Sequence, residues 1–123
     1  MTTENREENQ KDLILAIDNG TQSIRAILFN LQGEIVAQCQ LQLKAYIAKH
    51  PGWAEQDADY FWQMLGEVCQ GLWLRPGADK TRIAAVVLTT QRGTVVNVDK
   101  NGNPLRPAMT WMDNRRTWGR SRI

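Results

Sequence analysis

Residues 13–43 hold three apolar segments joined by connections too short for a crossover. Leu13 to Ile17 is a continuous apolar run, and Ile24 to Phe29 is a second, interrupted by Arg25. Between them lie only Asp18, Asn19, Gly20, Thr21, Gln22 and Ser23. "NLQG", Asn30 to Gly33, is a turn with its glycine placed for positive φ. Glu34 to Leu43 then alternates: Ile35, Ala37, Cys39, Leu41 and Leu43 on one face, Gln38, Gln40 and Gln42 on the other. Parallel neighbours need a crossover of about a dozen residues or more. Three strands in such close succession must therefore form an antiparallel meander. The unbroken apolar run of the first predicts a strand covered on both faces.

The rest of the chain changes period. After the loop "KHPGWAEQD", marked by Pro51 and Gly52, residues Phe61, Met64, Leu65, Val68 and Leu72 recur at helical spacing. They predict a helix over about Ala58–Leu74, with Asp57 or Asp59 as N-cap. "RPGADK" ends it. "RIAAVVLTT" predicts a buried strand and "GTVVNVD" another, followed by an Asn101-Gly102 hairpin turn. "RPAMTWMDNRR" leads into the first turn of a further helix, with Asp113 as its N-cap. The order β-β-β-α-β, hairpin, helix start is an α/β fold. Its last helix opens so close to Ile123 that a truncated domain is expected.

Composition removes several classes of function. A net charge of +2 is too small to argue for nucleic acid or an anionic membrane surface as partner. No apolar stretch approaches the ~20 residues of a membrane span. The opening "MTTENREENQKD" has no apolar core of a secretory signal, and residues 1–12 are expected to be a disordered lead-in to a folded part at 13–123. Two cysteines, one histidine and no CxxC support neither a disulfide framework nor a zinc site. Reduced thiols point to the cytoplasm.

The connection Asp18 to Ser23 carries chemistry. Short turns with glycine and hydroxyl side chains present N–H and O–H donors to anions. A carboxylate at the end of the first strand repels a bare phosphate. With a divalent cation between them it makes sense, since Mg²⁺ keeps its waters and takes one or two carboxylates. Asp18 thus fits a Mg²⁺-water holder, and Arg25 has the planar fork that suits a phosphate. On its own, Asn19-Gly20 fits a plain hairpin turn equally well.

The wider pattern resembles the FGGY family of carbohydrate kinases, within the actin-like ATPase superfamily. "LAIDNGTQSIRAILFN" is similar to its first phosphate motif, an aspartate and a Gly-Thr turn between antiparallel strands. "HPGWAEQDADYFW" resembles the segment before its first helix. "TTQRGTVVNVDKNGNPLRPAMTWMDNRR" resembles the stretch ending in Trp-x-Asp-x-Arg. The resemblance implies a partial RNase H-like domain, ATP and Mg²⁺ as cofactors, and a small sugar or polyol as the phosphoryl acceptor. It implies that Asp18 helps hold Mg²⁺ through water, and that Asn19, Gly20, Thr21, Gln22, Ser23 and Arg25 face the ATP phosphates. Many relatives have a second threonine at the Gln22 position, so that contact is altered here. The acceptor side is implied at Gln91, Arg92, Gly93, Thr94, Trp111 and Asp113. In glycerol kinases the matching arginine is followed by a glutamate that binds substrate hydroxyls. Here Arg92 is followed by Gly93, which disfavours glycerol and leaves room for a larger polyol or sugar.

Plainer roles stand beside these. Trp111 also fits a core or interface residue, and Gln91 a strand-end cap. Trp53, Trp62 and Trp73 fit packing anchors, Arg115 and Arg116 a solvated helix face, and His50 a loop residue. The family's general base is expected beyond residue 123, so the chain alone is expected to be inactive as a kinase, with an open sheet edge that favours self-association. The alternative is a non-catalytic remnant or a stand-alone phosphate-binding module.

Overall fold

The computed structural model describes residues 10–115. The meander forms as expected from strands β1 (Leu13–Asn19), β2 (Ser23–Asn30) and β3 (Ile35–Gln42). A two-residue strand β4 (Glu55–Gln56) precedes helix α1 (Ala58–Trp73). A 3₁₀ turn, Lys80–Arg82, leads into β5 (Ile83–Thr90), and β6 (Ala108–Met109) closes the series. The main sheet has the order β3-β2-β1-β5, antiparallel through the meander and parallel between β1 and β5. Strands β4 and β6 pair antiparallel in a small second sheet.

Helix α1 begins where Asp57 accepts from the Asp59 N–H, the capping geometry that satisfies an otherwise orphaned donor. Its apolar stripe lies across β2 and β3. Met64, Val68 and Leu72 are buried there against Leu13, Leu15, Ile17, Ile24, Ala26, Leu28, Ala37 and Cys39. Gly71 lies close to β3: a Cβ there would meet the Cys39 Sγ at 2.7 Å.

Six features depart from the sequence expectation. Strand β1 is covered on one face: Leu13, Leu15 and Ile17 are buried, while Ile14 and Ala16 are half-exposed. Strand β5 is not buried: Val86, Val87 and Leu88 are 61%, 49% and 58% exposed. Among the described residues it sits at the sheet edge, paired only with β1, while α1 packs over β2 and β3. Ile35 is exposed, because a register shift between Leu28 and Phe29 pairs Leu28 with Ala37 and Phe29 with Ile35, and Val36 takes the extra position. A one-residue bulge of this kind inverts the alternation beyond it.

The strand expected over 93–99 is reduced to isolated bridges, Val95 with Met109 and Val98 with Pro104. Asp99 folds its side chain back onto the N–H groups of Asn101 and Asn103, at 2.8 and 2.9 Å. Pro104 has no N–H to extend a ladder. The turn itself is present, with Gly102 at φ +86°. Asp12, placed in the lead-in by sequence, is tied down: its N–H donates to the Arg82 carbonyl, and the Arg82 guanidinium grips its carboxylate at 2.6 and 2.8 Å. No helix starts within the described residues at Asp113; the expected helix beyond it, and Arg116, lie outside them.

Candidate functional site

The pairing of Asp18 with Arg25 across β1 and β2 puts both side chains on the face of the sheet away from α1. Their charged atoms stand 3.5 Å apart, and each side chain is 48% exposed. That is a loose, solvated ion pair, worth little to stability. On the other side, Thr89 of β5 lies opposite Asp18 and donates its hydroxyl to Oδ1 at 3.1 Å. The carboxylate is thus oriented from both neighbouring strands and still open to solvent.

The turn between β1 and β2 is braced at every point. The Gly20 N–H donates to the Ser23 carbonyl at 3.0 Å, and a Cβ on Gly20 would press on that same oxygen at 3.0 Å. The Leu43 N–H donates to the Gln22 carbonyl at 2.8 Å. Gln56, 4% exposed, donates its amide to the Thr21 carbonyl at 3.1 Å. Sequence reasoning gave Gln56 and Thr89 no role. Only the register of β5 on β1, and the approach of β4 to the turn, reveal them.

Four side chains from distant segments meet at Thr21. Its hydroxyl donates to Gln91 Oε1 at 3.1 Å and accepts from Trp111 Nε1 at 3.0 Å. Thr94 donates to the same Gln91 oxygen at 2.8 Å, and Gln91 Nε2 donates to the Gly20 carbonyl at 3.4 Å. Most of the turn residues and, from the acceptor-side group, Trp111 line one open pocket. It has a volume of about 280 Å³, with Asp18, Gly20, Thr21, Gln22, Ser23 and Arg25 on one side and Trp111 and Met112 on the other. The buried Asn19 Oδ1 has no hydrogen-bond partner among the described residues and does not line this pocket.

Three implied acceptor-side residues sit elsewhere. Arg92 is exposed. Gly93, at φ +75°, lies behind Trp111, where a Cβ would stand 3.5 Å from the Trp111 Cβ. Asp113 is buried, not open to the pocket. It accepts from the Ala54 N–H at 2.8 Å and from Arg115 Nε at 2.8 Å. Arg115 also reaches Glu55 at 2.8 Å and stacks 3.8 Å over the Trp53 ring. The side chains of Glu55, Asp113 and Arg115 are only 6%, 4% and 13% exposed. Arg115 is therefore no solvated residue. Its guanidinium holds the Asp113 carboxyl well below the usual carboxylate range, outweighing the opposing effect of burial, with the Ala54 and Arg115 N–H groups assisting. Trp53 is the packing anchor that sequence suggested, with His50 edge-on to it at 4.5 Å.

Comparison with known proteins identifies the family and the fold. Residues 13–120 match the N-terminal domain of the FGGY family of carbohydrate kinases. A glycerol kinase of Rippkaea orientalis is 44% identical over 88% of this chain and 22% of its own length. The crystal structure of xylulose kinase from Rhodospirillum rubrum superposes with a TM-score of 0.75 at 30% identity, over 84% of this chain and 21% of that one. That of Plasmodium falciparum glycerol kinase with ADP gives 0.70 at 28% identity, over 86% and 21%. The chain spans about a fifth of the length of the curated relatives it matches.

Proposed function

Because this chain belongs to the FGGY family of carbohydrate kinases, we propose that it forms the phosphate-gripping and acceptor-facing part of an ATP-dependent kinase acting on a hydroxyl of a small sugar or polyol. The observation that carries this reading is the shared pocket, in which the Asp18–Arg25 turn faces Trp111 across about 280 Å³. Phosphoryl transfer is mostly positioning and charge neutralisation. Arg25 and the turn N–H groups supply donors to the phosphates. Asp18, oriented by Thr89 and still open to solvent, would hold Mg²⁺ through its waters. The metal would neutralise charge between the β- and γ-phosphates. Trp111 offers the acceptor an apolar face. Two free thiols, Cys39 and Cys69, the latter pushed up in pKa by burial, fit a reducing cytoplasm.

Transfer also needs a base for the acceptor's proton. Asp18 is the one carboxylate lining this pocket among the described residues, and it faces Arg25. The 123-residue chain is therefore expected to bind MgADP at residues 18–25, seen as perturbed amide resonances, without kinase turnover on a sugar and polyol panel. Absence of any perturbation at the turn would refute the phosphate grip. Mg²⁺-dependent turnover by the chain alone would refute the division of labour and place the base within it.

The open edge of β5 should make the isolated chain associate with a second copy. Its eight residues carry no charge to discourage edge pairing, and its apolar side chains are exposed. Sedimentation is expected to show concentration-dependent dimers that Val87→Lys returns to monomer. A clean monomer of the unaltered chain at high concentration would count against this.

A further inference from the structure

Asn-Gly is a reactive pair as well as a turn signal, and the chain has two, Asn19-Gly20 and Asn101-Gly102. A glycine nitrogen has no neighbouring Cβ to screen it from the asparagine side chain. We infer that Asn101 is a site of spontaneous deamidation and isomerisation, whereas the fold withholds the same chemistry from Asn19, so that the protein ages at the hairpin leading to Trp111 and not at the phosphate turn. The inference does not depend on the kinase reading.

The reaction needs only water. The Gly102 backbone nitrogen, losing its proton, attacks the Asn101 Cγ. A C–N bond forms, the bond from Cγ to Nδ2 breaks, and the side-chain nitrogen leaves as ammonia with that proton. Water then opens the cyclic imide at either carbonyl. One opening leaves aspartate. The other leaves isoaspartate, with the chain running through the side-chain carbon and a free α-carboxylate.

The structure sets the two pairs apart. Asn101 and Gly102 are both exposed at the hairpin tip. A Cβ built on Gly102 would have no neighbour within 4 Å, so the space for attack is open. The Gly102 N–H is held by a turn bond to the Asp99 carbonyl at 3.1 Å, and opening an exposed turn costs little. Asn103, two residues on, is a built-in control, since Pro104 after it has no N–H with which to attack. The Gly20 N–H has a similar bond, to the Ser23 carbonyl at 3.0 Å. Asn19 itself, however, is paired with Ile24 on one side and Thr90 on the other, and its Oδ1 is buried. Bringing its Cγ to the Gly20 nitrogen means freeing the end of β1 from both neighbours.

The product matters because of where the hairpin leads. Its backbone bonds join Asp99 to Asn103, Leu105 to Asn97, and Val95 to Met109 in both directions. Trp111 lies two residues beyond the last of these. Isoaspartate adds an atom to the backbone at the turn. Either product puts a carboxylate near Asp99, whose Oδ1 accepts from the Asn101 and Asn103 N–H groups. The hairpin should loosen from its tip toward Trp111.

The test is ageing of the full chain in mildly alkaline buffer, followed by tryptic mapping, in which Asn19 and Asn101 fall on separate peptides. Deamidation registers as the mass change from amide to acid, and isoaspartate as methyl transfer from S-adenosylmethionine by an isoaspartyl methyltransferase. In the folded chain Asn101 should convert at least about tenfold faster than Asn19, because an exposed turn opens more readily than a paired strand. In urea the two rates should converge, with Asn103 lagging in both conditions. Amide exchange at Val95, Leu105 and Met109 should rise in the aged chain, and rise less in Asn101→Asp, which brings the charge without the extra backbone atom. Conversion of Asn101 no faster than Asn19 in the folded chain, or of Asn19 as fast folded as in urea, would overturn the inference. Unchanged exchange at Met109 in the aged chain would overturn its reach toward Trp111.

Discussion

Arg115→Ala is expected to destabilise the segment carrying Trp111 by about 3–5 kcal/mol, the usual consequence of removing one partner from a buried ion cluster. The variant leaves Glu55 and Asp113 facing each other without a cation, at 6% and 4% exposure, and strips the guanidinium from the Trp53 ring. Because β4 and β6 form their own small sheet, the damage should be local. Amide exchange should rise for Ala54, Glu55 and residues 108–113, while β1 to β3 stay protected. Neutralising both acids as well, in Glu55→Gln/Asp113→Asn/Arg115→Met, should recover much of the loss. If the single variant exchanges like the unaltered chain, the cluster has no structural weight. The acid dependence has a fixed sign. Asp113 is held below its ordinary value of 3.8 in the folded chain. Its contribution is therefore complete above that value and lost as pH falls below it. Arg115→Ala should flatten that acid-side decline.

Asp18→Asn is the second. The amide keeps the shape of the carboxylate and its bond from Thr89, and removes the charge. An outer-sphere ligand of this kind typically supports 10–100-fold in metal affinity or activity. We expect Mg²⁺ enhancement of ADP binding to fall by about that factor. Without Mg²⁺ the order should reverse: the neutral amide no longer repels the phosphates and no longer occupies Arg25, so the variant should bind free ADP at least as well as the unaltered chain. Equal Mg²⁺ enhancement in both proteins would remove Asp18 from the metal's surroundings.

Much of this was legible in the residues, and the misses share a cause. The meander and α1 follow from local period and turn chemistry, which sequence states directly. The burial of β5 does not, because an apolar run records affinity for a cover and not the presence of one. The Ile35 phase error came from a bulge, which leaves no mark in a simple alternation. In the site, the Asp18 to Arg25 motif was visible because its residues are contiguous. Thr89 and Gln56 were invisible because their work depends on register between segments far apart in sequence. Asp113 and Arg115 were visible as residues but misplaced. The sequence shows that two charges lie near one another, not that Glu55 closes over them.

The parallel contact between β1 and β5 also has a history in time. Strands β1, β2 and β3 can find each other through short turns, whereas pairing β1 with β5 closes a loop that includes all of β2, β3 and α1. Closing long loops is slower than closing short ones. The meander with its turn should therefore be the early structure, and the β5 crossover the late one. Thr89 and Gln91 arrive only with that crossover, so a chain whose first three strands are already native still has an unoriented Asp18 and a Thr21 hydroxyl without its glutamine. The pocket is then completed last, when β5 comes to rest on β1 and Gln91 reaches the turn.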